Sequence, residues 1–270
     1  MRTETKLSEE RDKEIILYIY HRGAAKKKQI YKMFFSHQVS GQQNCRRVLN
    51  RLTTYHYLKR DSNKFYSTGE KSLSLIRKFH GIVEIKSIKP TSHLEEINDF
   101  QDTLILACRN SDFILEDFKT YYNHREQIKD TVDCIHIPDL VFELSKNNKY
   151  YLCFGEIDRG TEHPNKYLKM IKWYLNYFSS GLFRYKYNFN IAFCLIIVPS
   201  IERLNNMRKN ATRLVETRQI ELLNRYELDL AKHFLRFIWI TLKDNIKPEL
   251  IFTDIWQSLL ETDQDKYGIY

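Results

Sequence analysis

The chain has 270 residues, 43% of them apolar and 29% charged, which suffices for a packed core and argues against wholesale disorder. No apolar run approaches the ~18 residues that span a bilayer, and the N-terminal MRTETKLSEERDKE is polar where a secretory signal needs an apolar segment, so a cytoplasmic protein without a membrane partner is expected. The cysteines Cys45, Cys108, Cys134, Cys153 and Cys194 are dispersed with no C-x-x-C pair; they read as buried thiols and argue against zinc.

The net charge of +9 is unevenly placed. Residues 1–80 hold 18 Lys and Arg against 7 Asp and Glu, a net of +11, and the rest of the chain holds 25 against 27. A concentrated basic segment is what attracts phosphates, so the pattern predicts a nucleic-acid-binding head on a nearly neutral body. A merely soluble basic domain is the alternative.

Within SEERDKEIILYIY, Ser8 stands where an N-cap belongs and acids fill the first turn; His21-Arg22-Gly23 ends the helix. A short second helix is expected over Lys27 to Phe35, and a third after Ser40, in SGQQNCRRVLNRLTTYHYL. There Cys45, Val48, Leu49 and Leu52 recur at helical spacing, leaving Gln42, Gln43, Arg46, Arg47, Asn50 and Arg51 outside or on the flanks. Arg suits guanine, Gln and Asn suit adenine, and the remaining groups suit phosphates. Two alternating segments, Tyr57 to Arg60 and Lys64 to Ser67, flank the turn-forming Asp61-Ser62-Asn63. Three helices and a hairpin resemble a winged helix-turn-helix. Its third helix would enter the major groove of double-stranded DNA, with Lys26, Lys27 and Lys28 nearby and Lys59, Arg60 and Lys64 on the wing. Protein contact is the minority use of such a fold. A further helix over Glu70 to Phe79 and a linker over 81–91 complete this part, so the expected domains are 1–80 and 92–270.

In the second domain, Ser92-x-x-Glu95 reads as a capping box opening a helix to about Asn110. Strands are expected at Phe113 to Tyr122, Ile135 to Leu144, Tyr150 to Ile157, Phe189 to Val198 and Leu235 to Leu242. Helices are expected at Asn165 to Phe178, Ile201 to Tyr226 and Ile251 to Leu260. The order predicts an α/β or α+β body on a mixed central sheet. If a turn centred on Asn147-Asn148 joins HIPDLVFEL to KYYLCFGEID, Asp139 lies opposite Glu156, and Asp158 follows on the same face. Like charges so placed repel unless a counter-ion joins them. Three carboxylates suit Mg²⁺ or Mn²⁺, whereas exposed acids pairing with Arg159 or Lys166 are the plainer alternative.

Pro138-Asp139, a hairpin, Glu156-x-Asp158 and a helix bearing Lys166 and Lys169 resemble the PD-(D/E)xK nuclease superfamily. That resemblance implies metal ligation by Asp139, Glu156 and Asp158. Asp158 occupies the superfamily's lysine position, so Lys166 or Lys169 would have to supply the positive charge. His93, Asn98, Pro138-Asp139, the stretch EIDRGT at 156–161 and Lys166-Tyr167 resemble more specifically the replication-relaxation family of plasmids and integrative elements. This resemblance implies a winged helix joined to a nuclease-like body that nicks DNA at an origin to begin replication or transfer. Together the two resemblances give the leading expectation, a Mg²⁺-dependent endonuclease or relaxase-like protein at an origin or operator, with catalysis by Glu156, Asp158, Lys166 and Lys169. The competing expectation is a non-catalytic adaptor or regulator whose body docks other replication or transfer proteins or a second copy. An RNA-binding or defence protein would share the body.

The His-hydrophobe-His motif of conventional relaxases is absent, with His56 and His136 each lacking a partner two residues away, as is the G-x-x-x-x-G-K-[ST] loop of NTPases. Tyr18, Tyr20, Tyr121 and Tyr122 are nucleophile candidates by residue type alone. His93 and His163 read as hydrogen-bonding residues flanking the site, and Glu96 is a further acid from the first helix of the body. Lys166, Lys169 and Trp173 share a helix face that could hold a phosphate and stack a base, unless Trp173 turns into the core.

Overall fold

The computed structural model describes residues 10–80, 90–121, 136–161, 163–189, 192–216, 233–259 and 266–268. The chain is α+β and separates into two compact units, Met1–Asp102 and Thr103–Tyr270. Ser8, Tyr122, Cys134 and most of the expected linker lie outside the described residues. No helix among the described residues is long and apolar enough to cross a membrane.

The first unit runs α1 (Glu10–Arg22), β1 (Ala25–Lys26), α2 (Lys27–Phe34), α3 (Gly41–Thr54), β2 (Leu58–Arg60), β3 (Phe65–Thr68) and α4 (Glu70–His80), followed by most of α5 (Ser92–Arg109). Gly23, at φ 73°, ends α1 in a conformation that only glycine adopts cheaply. The three short strands form an antiparallel sheet in the order β1-β3-β2. Ile15, Ile19, Ile30, Val48, Leu49 and Leu52 bury the helices against one another. Each comes from an apolar stripe at helical spacing, so the packing follows the amphipathic pattern.

The sequence pattern starts the second domain at residue 92, whereas the compact units divide within α5. The first turns of α5 belong with the head because their polar groups are used there. Asn98 Nδ2 donates to the Ala24 carbonyl at 2.8 Å, and Gln29 Nε2 donates to the Glu95 carbonyl and to Asp99 Oδ1. The buried Asp102 carboxylate accepts from Arg22 and from the Tyr18 hydroxyl, both at 2.7 Å. The cap of α5 also differs from the expected box. Thr91 Oγ1 accepts from Leu94 N, and Glu95 is drawn away to two lysines instead.

The second unit is built on a seven-stranded mixed sheet, order β10-β9-β8-β7-β6-β5-β4. Its strands are β4 (Ile114–Thr120), β5 (Leu140–Lys146), β6 (Lys149–Ile157), β7 (Ala192–Val198), β8 (Ile238–Leu242), β9 (Trp256–Ser258) and β10 (Lys266–Tyr267). The β5–β6 hairpin has the register expected from its Asn-Asn turn: Leu140 pairs with Gly155 and Lys146 with Lys149. Asn147 and Asn148 both take positive φ, 51° and 61°, which suits the twist of a two-residue hairpin. Gly155 suits the same pairing, since a Cβ there would lie 2.3 Å from Leu140 Cδ1 and the buried leucine would have to shift.

Strands β6, β7 and β8 are parallel, and the helices that connect them are α6 (Pro164–Ser180), the short α7 (Leu182–Tyr187), which the sequence pattern does not foresee, and α8 (Ile201–Glu216). The apolar stripes of α6 and α8 share one core with Leu152, Phe154, Ile196, Val198 and Ile240. The expected continuation of α8 to Tyr226 lies outside the described residues. The terminal helix expected from Ile251 is not formed; turns there lead into β9. Trp256 is fully buried, and Gln257 and Ser258 extend the sheet from β8, so backbone pairing within the sheet prevails over the local helical period.

Candidate functional site

Two regions carry the side chains singled out from the sequence, one in each unit. In the head, α3 buries Cys45, Val48, Leu49 and Leu52 and exposes Gln42, Gln43, Arg46, Arg47 and Asn50. Arg51 turns away from that face and reaches the buried Asp12 carboxylate, with contacts of 2.7 and 2.6 Å. Lys59, Arg60 and Lys64 are exposed on the β2–β3 hairpin, whose turn is closed by Asp61 Oδ1 accepting from Phe65 N.

Of the lysine run, Lys27 is exposed, while Lys26 and Lys28 bind Glu95 at 2.5 and 2.8 Å; Lys28 also meets Asp99 at 3.0 Å. Burial alone would raise the Glu95 carboxyl, but hydrogen bonds from the two lysines outweigh it and hold the group below its ordinary value. The head therefore presents a polar and basic surface from α3 and the hairpin, with part of its positive charge already met by α5. Tyr18, a nucleophile candidate, is buried with its hydroxyl committed to Asp102.

In the second unit the carboxylates gather at the carboxyl end of β6. Asp139 precedes β5, and its Oδ2 accepts from Ile157 N at 2.8 Å, in keeping with the expected register. Glu156 is 6% exposed and points toward α6, where Tyr174 Oη donates to its Oε1 at 2.5 Å and His136 Nε2 lies 2.7 Å away. Burial, the dominant influence, pushes Glu156 above the usual carboxylate range; His136 opposes it and the neighbouring Asp139 charge adds to it.

Asp158 meets α8 instead. Arg203 Nε reaches its Oδ2 at 2.5 Å and Nη2 its Oδ1 at 3.2 Å, a two-pronged pair whose side chains are 14% and 6% exposed. The same guanidinium lies 5.0 Å from the Tyr167 ring centroid, and Tyr167 Oη accepts from Asn210. Neither acid is exposed at a strand end, and the cation for Asp158 is neither Arg159 nor Lys166. Each of the three carboxylates accepts from a group of the protein itself, Asp139 from Ile157 N, Glu156 from Tyr174 and Asp158 from Arg203. Among the described residues, no three His, Cys, Asp or Glu side chains form a metal-holding group.

Lys166 and Lys169 are exposed on α6, and His163 caps that helix by accepting from Asn165 N. Trp173 packs against the core, stacks on Tyr177 at 4.7 Å and makes a T-shaped contact with His136, so it does not form an open base platform with the lysines. Sequence pattern alone does not single out His136, Tyr174 and Arg203 as partners of the acids. Tyr174 carries a readable signal, since a tyrosine on the apolar stripe of a helix needs a partner for its hydroxyl. Arg203 does not, because only the parallel pairing of β6 with β7 brings the start of α8 to Asp158.

The cysteines are free thiols where described: Cys45, Cys153 and Cys194 are buried and Cys108 is half-buried. Burial raises the thiols of Cys45 and Cys108 to about 11, which leaves them unreactive at neutral pH.

An α+β protein with a basic helical head and a mixed-sheet body that gathers acids at a strand end is the class these features define. The chain belongs to the replication-relaxation family, whose model matches residues 18–192. Membership ties it to plasmid or mobile-element replication or relaxation. The match includes α3, Asp139, Glu156 and Asp158 and stops short of Arg203. No curated protein matches the chain significantly.

Proposed function

We propose that this protein binds double-stranded DNA at an origin or operator of a plasmid or mobile element, using its head as a winged helix. In this reading α3 lies in the major groove, with Gln42, Gln43, Arg46 and Asn50 toward base edges, and Lys59, Arg60 and Lys64 of the hairpin meet phosphates. The observation that carries the reading is the division of α3 into a buried apolar stripe and an exposed Gln/Arg/Asn face, beside a basic hairpin. The body then serves as a docking or dimerisation platform for replication or transfer proteins. The internal pairing of Asp158 with Arg203 and of Glu156 with Tyr174 favours that role.

Retardation of DNA by the full chain across a salt series, wild type against Arg46→Ala and Arg47→Ala, tests the proposal. Binding should weaken steeply with salt, and further in both variants; retardation that is absent, or unchanged in both, would refute it.

A second reading, a Mg²⁺- or Mn²⁺-dependent nicking endonuclease, is favoured by the position of Asp139 beside Glu156, with Lys166 and Lys169 exposed on the following helix. Calorimetry with each ion on wild type, Asp139→Ala and Glu156→Ala, with plasmid nicking on the same samples, decides it. Binding and nicking lost in both variants would establish the enzyme, and no binding in any sample would leave the docking role.

A further inference from the structure

The turn that leads into α3 holds a side chain that the packing of the head does not explain. Val39 is 109% exposed, more than in an extended chain, and Tyr55, at 38%, is the other large exposed apolar residue among those described in this unit. The turn beneath it is well fixed. Gln38 N donates to the Phe35 carbonyl at 3.1 Å, Gly41 N to the Gln38 carbonyl at 3.0 Å, and Asn44 Nδ2 to Gln38 Oε1 at 3.1 Å. A Cβ at Gly41 would lie 2.1 Å from the Phe35 carbonyl oxygen, so the backbone closes tightly there and Val39 stands at the tip. Its stiff, branched side chain is set three residues before Gln42, at the end of α3 that carries Gln42 and Gln43.

We propose that Val39 is a specificity-determining residue that reads the 5-methyl group of a pyrimidine, thymine in unmodified DNA, in the major groove beside α3. The inference rests on the reading of the head as a DNA-binding module. In the major groove the thymine methyl is the apolar feature that an aliphatic side chain recognises, and Gln42 and Gln43 suit the adenines of the same kind of site.

The test uses duplexes selected from a random-sequence pool by the full chain, with each thymine then replaced singly by deoxyuridine, which removes only the methyl. Wild type should lose about fourfold in affinity at one position, the effect of one buried methyl-sized group, while Val39→Ala binds both duplexes equally. With cytosine at that position, 5-methylation should strengthen wild type and not Val39→Ala, tracing the effect to the methyl rather than to thymine as a whole. Val39 is exposed, so the variant should keep the wild-type urea midpoint. A deoxyuridine effect that is absent, or equal in the two proteins, overturns the inference and leaves the DNA-binding reading intact. If no duplex is retained at all, both fail.

Discussion

The exposed face of α3 and the carboxyl end of β6 use charge in opposite ways. On α3, Arg46 and Arg47 project outward, and Arg51, one turn further along, is spent on the buried Asp12. At the end of β6 both acids are turned inward: Glu156 meets Tyr174 and His136, and Asp158 meets Arg203. Charge held against a partner inside the protein is desolvated once, during folding, and is poorly placed to serve a ligand afterwards. Charge on the helix face stays hydrated and exchangeable, which is what binding to phosphates and bases requires. Under the proposed function, the end of β6 serves stability and the face of α3 serves recognition.

The largest test of that division is Arg203→Ala. Removing one partner of a buried pair leaves Asp158 uncompensated and should lower unfolding stability by about 3–5 kcal/mol, with DNA retardation by the folded protein unchanged. A loss below about 1 kcal/mol in urea titrations would mean that Asp158 is not held as described. Next, Arg46→Ala and Arg47→Ala should each weaken binding to a selected duplex by about 1–3 kcal/mol and leave the urea midpoint in place. Arg51→Ala should do the reverse, because it removes a cation that the buried Asp12 carboxylate accepts from. If Arg51→Ala reduces DNA affinity while stability holds, the boundary between the two uses of charge is misplaced.

A subtler effect concerns pH. The Glu156 carboxyl is raised by burial in the folded state, so the stability it contributes is full below the ordinary glutamate pKa and is lost as pH rises through the folded value. Relative to Glu156→Gln, wild type should therefore lose stability from about pH 4.5 upward, as read by urea midpoints at successive pH values. A difference that stays constant or grows in the opposite sense would contradict the raised carboxyl. The smallest expected effect is that of Glu95→Gln. Loosening Lys26 and Lys28 should raise DNA affinity at low salt by less than about 1 kcal/mol and steepen the salt dependence, as followed by fluorescence anisotropy. No change would show that those lysines stand apart from the DNA path.

Much of the head can be read from local pattern. The stripe Cys45, Val48, Leu49 and Leu52 predicts which face of α3 is buried, and the turn residues Asp61-Ser62-Asn63 predict the hairpin. The β5–β6 register is legible once the turn is taken to be even and centred on Asn147-Asn148; an odd loop would have put Asp139 on the other face, and the observed pairing brings Asp139 to the backbone of Ile157. Local reading fails where distant segments compete. Ser92 and Glu95 have the spacing of a capping box, yet Glu95 finds stronger partners in two lysines more than sixty residues earlier. Ile251 to Leu260 has a helical period, yet burial of Trp256 and pairing with β8 draw the segment into turns and a strand.

The sequence by itself determined the basic head, the faces of its helices, the hairpin register and the clustering of acids at the end of β6, because each follows from spacing within a few residues or across one turn. Only the tertiary structure decided which groups those acids meet. Their partners come from α6 and α8, brought in by the crossovers among the parallel strands β6, β7 and β8, and a charge cannot signal from sequence whether the group that meets it is a ligand or an arginine of its own fold.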